Sequence, residues 1–91
     1  MTREAFNKAE KLFAELDAIK SRVEITSNLY ENIGKWALPN EMFSVMTRSK
    51  FSSVDGQCVQ APAELLLDYL RNVLEYYDRE TARLKKEIDE L

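Results

Sequence analysis

Apolar residues recur at alternating intervals of three and four positions along both ends of this chain. In the N-terminal segment Ala5, Ala9, Leu12, Leu16, Ile19, Val23, Thr26, Tyr30 and Ile33 hold the register. In the C-terminal segment Leu67, Leu70, Leu74, Tyr77, Thr81, Leu84, Ile88 and Leu91 do the same. A mean period of about 3.5 residues keeps an apolar seam turned toward a neighbouring helix, so each segment predicts a long helix with a coiled-coil-like partner. The expected fold is mainly α: an antiparallel two-helix coiled-coil hairpin with a short β-hairpin or irregular tip, assembling into a helical bundle. All 91 residues form one domain on this reading.

The first helix is expected over about residues 3–35. Thr2 suits its N-cap, and Glu4 places a negative charge in the first turn, where the helix dipole favours it. Gly34 is read as its terminator, with Pro39 barring continuation beyond Leu38. The stretch Val23-Glu24-Ile25-Thr26-Ser27 has poor helix propensity, yet the period crosses it without slipping, so it is read as helix. The second helix is expected over about residues 62–91, with Pro62 at its first position and Glu64 in the same turn.

Residues 36–61 form a different kind of sequence and are read as the tip. Met42, Phe43, Val45 and Met46 suit either a short strand or a helical turn over 40–47. Asp55-Gly56 is a hairpin-turn signal, and Cys58-Val59 reads as a strand running into Pro62. A small β-hairpin is the preferred arrangement, with Trp36 packed under it and Cys58 as a small packing residue.

Outside the seams lie further apolar residues. Phe6 and Phe13 flank the first seam, and Leu66, Tyr69, Val73 and Tyr76 flank the second. A two-helix hairpin shields one seam, so these six residues are expected to form an oligomer interface in a homodimer or higher assembly.

Composition narrows the chemistry. The chain has no histidine, which removes the commonest general base and metal ligand, and with it every Ser–His or Cys–His nucleophile system. Its one cysteine cannot form an intramolecular disulfide or build a zinc site. No glycine-rich phosphate loop is present, and paired carboxylates such as Glu87 and Glu90 belong to a solvated, charge-rich helix end. A non-enzymatic protein without metal or other cofactor is expected. The net charge of −3 and pI near 5.0 provide no global field for nucleic acid or anionic membrane, and no long apolar stretch predicts a membrane span. Direct nucleic-acid binding and membrane association are therefore not expected, and the predicted location is cytoplasmic.

Charge is unevenly spread. Residues 1–32 carry a net −1, residues 33–54 a net +2 and residues 55–91 a net −4. The tip is a basic island that also holds aromatics, making Lys35, Trp36, Phe43, Arg48, Lys50 and Phe51 the candidate partner- or ligand-binding residues. Cations beside aromatic rings suit an acidic protein surface or a nucleotide. The competing reading is that the aromatics close the core at the hairpin end. The carboxylate rows elsewhere are interrupted by lysine and arginine, so imitation of nucleic-acid phosphates is a minor expectation.

In size, charge and layout the chain resembles small bacteriophage-encoded helical-hairpin proteins of the host-defence-inhibitor type. Its succession of long helix, short β element and long helix is also similar in format to prefoldin-type chaperone subunits, although residues 36–61 are a short insertion for them. The first resemblance implies an interaction protein of the host-cell cytoplasm that occupies a bacterial defence component such as a CRISPR nuclease. Two alternatives stand beside it: a sponge that binds a nucleotide at oligomer clefts, and a structural coiled-coil spacer or prefoldin-like subunit.

Overall fold

A computed structural model of the protein describes residues 2–38, 40–48 and 56–91. The elements follow in the order α1 (Arg3–Trp36), β1 (Met42–Met46), β2 (Cys58–Pro62) and α2 (Ala63–Asp89). The architecture is the expected helical hairpin, with a two-stranded antiparallel sheet between the helices. The molecule measures 56 × 33 × 15 Å. Its smallest extent is little more than the diameter of one helix, about 10–12 Å with side chains, so the helices form a single layer. The radius of gyration is 17.4 Å, against about 12 Å for a compact domain of this length.

Helix α1 begins where the capping chemistry places it. The Thr2 hydroxyl oxygen accepts the Ala5 amide at 3.1 Å, satisfying one of the first-turn donors. The β-branched stretch over 23–27 is helical, and Thr26 donates its hydroxyl to the Arg22 carbonyl at 2.7 Å. That bond satisfies a hydroxyl which would otherwise compete for the backbone. Gly34 does not end the helix. The chain continues to Trp36 and leaves the helix at Ala37 in extended backbone, with the Ala37 amide still donating to Ile33. The proline at 39 disfavours helical backbone at Leu38, so the helix does not resume there.

Every seam position of α1 is buried or half-buried, and so is every seam position of α2 except the terminal Leu91. Leu12, Leu16 and Ile19 pack with Leu84 in one core cluster, flanked by Val23, Tyr77 and Ile88. Ile33, Ala63 and Leu70 form a second cluster at the tip end, flanked by Tyr30, Phe43, Leu66 and Leu67. The two clusters pin opposite ends of the antiparallel pair. Tyr30 reaches across the seam toward Arg71 on α2 and, ahead of nearby Asp68, raises that guanidinium's pKa.

The segment over 42–46 is a strand, not the alternative helical turn. Met42 pairs with Pro62 and Met46 with Cys58 across the ladder. Gly56 adopts a positive φ of 77°, and its amide donates to the Thr47 carbonyl, closing the ladder beyond β1. A side chain is strained in that conformation, so glycine is required there. Asp55 lies outside the described residues. Pro62 ends β2 and serves as the N-cap of α2, one place earlier than the first helical position expected from the sequence. Pro62 offers no capping side chain, and the Glu41 carbonyl instead accepts the Ala63 amide at 3.1 Å. The strand therefore satisfies a donor at the start of α2 and fixes the tip to that helix.

Candidate functional site

Helical spacing divides the exposed side chains between the two broad faces of this thin molecule. On α1, Arg22, Leu29 and Trp36 stand a heptad apart in one row, with Ala18 and Ile25 in the row beside it. On α2, Leu66, Tyr69, Val73, Tyr76, Glu80 and Arg83 follow the same three-four spacing. An open cleft lined by Ala18 and Arg22 together with Tyr76, Glu80 and Arg83 shows that these two flanks share one face. This face is apolar toward the tip and charged toward the open end of the hairpin.

The apolar half exposes Ile25, Leu29, Trp36, Tyr69 and Tyr76. Trp36 is 77% exposed, so it does not pack under the tip as the sequence suggested. The reason is the lean of the ribbon. The backbone of both strands lies close to α2 and not to α1, which leaves the last turn of α1 open to solvent. Tyr76 and Tyr77 adjoin with ring centroids 5.6 Å apart, so Tyr76 on the face is braced by a seam residue. At the charged half, Arg83 donates to Glu80 at 2.7 Å and to Glu87 at 3.1 Å. The hydrogen bond that Arg83 donates to Glu80, followed by the Glu80 charge, raises the Arg83 pKa.

The opposite face carries the row Phe6, Phe13, Lys20, Ser27 and Gly34, again a heptad apart. Its tip end is polar: an open recess there is lined by Gly34 and Leu38 with Glu64, Asp68 and Arg71. Phe6 and Phe13 are 59% and 53% exposed near the open end and border a shallow apolar depression with Ala9 and Glu10. The six residues grouped from sequence as an interface thus fall on two faces. Leu66, Tyr69, Val73 and Tyr76 stand on one, with Leu66 and Val73 half-buried, while Phe6 and Phe13 stand on the other.

The basic tip is only partly assembled. Lys35 and Arg48 are exposed, but Arg48 lies beyond the far end of β1, whose five residues span about 15 Å, while Lys35 sits on the last turn of α1. Phe43 is half-buried and packs inward against the tip-end core, so it closes that core and is not offered to a ligand. Lys50 and Phe51 lie outside the described residues. Cys58 is exposed, opposite Met46, and does not serve as a packing residue. Among the described residues no three acidic or cysteine side chains stand close enough together to hold a metal ion, and no helix is long and apolar enough to cross a membrane.

No protein-family model, curated protein or solved structure matches the chain. Its site must be read from its own geometry. Ile25 and Leu29 are the members of the apolar face that the sequence reading passed over. Their spacing from Trp36, eleven and seven residues, was the available signal.

Proposed function

We propose that the protein is a non-enzymatic interaction module that self-associates through its helices and holds the β tip out toward a macromolecular partner. One observation carries this reading: a single-layer fold that leaves a large apolar face in water. The accessible surface is 7508 Å², against about 5,500 Å² for a compact monomer of this mass. Trp36, Tyr69 and Tyr76, each with about 150–250 Å² of side-chain surface, are more than half exposed on one face. With Ile25 and Leu29 they form a patch on the order of 500 Å², at the top of the range found on monomeric proteins. Such a face stabilises the molecule only when something covers it.

The ribbon fits the role of a presented element. Among the described residues its two strands have unpaired outer edges, and Met42, Met46 and Val59 are exposed beyond the helices. An inhibitor of a bacterial defence system, as the phage-protein resemblance implies, is the specific form of this proposal. Sedimentation equilibrium at micromolar concentration tests self-association, and a monomer at every concentration overturns it. Affinity capture from the natural host, with mass spectrometry of proteins and extraction of small molecules, tests the partner class. Recovery of a nucleotide without a protein rejects a macromolecular target.

A further inference from the structure

The geometry points to a specific assembly: a two-fold dimer in which the face bearing Trp36, Tyr69 and Tyr76 packs on the same face of a second copy, with both tips at the same end. This rests on the self-association proposed above and assigns its face and orientation. The dyad runs along the hairpin, so α1 of each copy lies antiparallel on α2 of the other, and four helices form a bundle.

Two features of the face select this arrangement. The first is area. A stable interface takes about 800 Å² from each partner, with an apolar centre and a polar rim. The apolar patch supplies the centre, and the charged half of the same face supplies the rim. The Phe6–Phe13 face has two exposed rings at one end and a polar recess at the other, so it offers a smaller apolar centre.

The second is complementarity, row by row. The two helices run antiparallel, and Arg22 and Glu80 line one shared cleft. A dyad along the hairpin therefore sets each row of α1 against the α2 row of equal height in the second copy. Trp36 meets Leu66, Leu29 meets Val73 and Ile25 meets Tyr76. Below them Arg22 meets Glu80. A dyad across the hairpin would instead run the charged rows past the partner's tip.

Trp36 is the only tryptophan, so its fluorescence reports on this face alone. Sedimentation velocity and tryptophan emission are measured on the same samples over about 1–100 µM. The expected result is a dimer whose emission shifts to shorter wavelength in step with its mass. Leu29→Lys with Tyr76→Lys is expected to weaken association by about a hundredfold or more and abolish the shift. Both residues are exposed in the single chain, and far-UV circular dichroism verifies that the variant is folded. Phe6→Lys with Phe13→Lys is expected to leave association unchanged. A dimer whose emission never shifts, and which is lost in the phenylalanine variant, overturns the face while self-association stands. A monomer throughout overturns self-association itself. Orientation is read separately: Arg22→Glu is expected to weaken the dimer about fivefold to tenfold, and adding Glu80→Arg to restore it. Failure of the double variant to recover overturns the orientation.

Discussion

Replacing Leu84 with alanine tests the packing on which the whole hairpin stands. Leu84 is 0% exposed, alone among the described residues in being fully enclosed, and Leu12, Leu16 and Ile19 surround it from α1. Leucine-to-alanine changes in cores cost about 2.7–5 kcal/mol, through lost transfer energy plus the cavity left behind. Here the lower end applies, about 3 kcal/mol, because the half-buried neighbours Val23, Tyr77 and Ile88 can relax into the space. Total stability at this chain length is about 5–14 kcal/mol, so one methyl cluster accounts for a large share of it. The expected fall in melting temperature is about 12–24 °C. Urea and thermal unfolding followed at 222 nm measure the loss, at one fixed protein concentration because association adds to apparent stability. Phe13→Ala serves as the surface control and should cost under about 1 kcal/mol. If Leu84→Ala costs no more than Phe13→Ala, the arms are not packed around Leu84 and the antiparallel pairing is refuted.

Gly34→Ala should stabilise the protein by about 0.5–1 kcal/mol, read as a rise in melting temperature. Gly34 lies within α1, and a Cβ there meets nothing within 4 Å. Gly56→Ala should do the reverse and cost about 1–2 kcal/mol despite equally open space, because its φ of 77° strains any side chain. Thr2→Ala should cost about 1 kcal/mol and speed hydrogen exchange of the Ala5 amide, which loses its side-chain acceptor.

The long-range plan was legible in the order of residues. A heptad register names the inward positions of a helix without reference to its partner, and the seam residues are the ones that meet. The hairpin tip was legible more weakly. Strand and helical turn fit Met42–Met46 equally by local pattern, and pairing with Cys58–Pro62 decided between them. Local reading misplaced Gly34 as a stop because a glycine ends a helix only where backbone geometry asks for it, and the chain leaves the helix at Ala37 instead.

Neither Trp36 nor Phe43 could be placed from the chain alone. One is an aromatic at a helix end and the other an aromatic in a strand, and either could have capped the core. The Glu41–Ala63 hydrogen bond and the packing of the strands tie the ribbon to α2, which turned Phe43 inward and left Trp36 in water. Periodicity also could not divide the flanking apolar residues between faces without the antiparallel pairing that sets one helix flank beside the other. The sequence by itself determined two rods, their seams and a turn between them, because those depend on spacing along one helix. Only the tertiary structure decided which flanks join into one surface, because that depends on how two helices and a ribbon lie against each other.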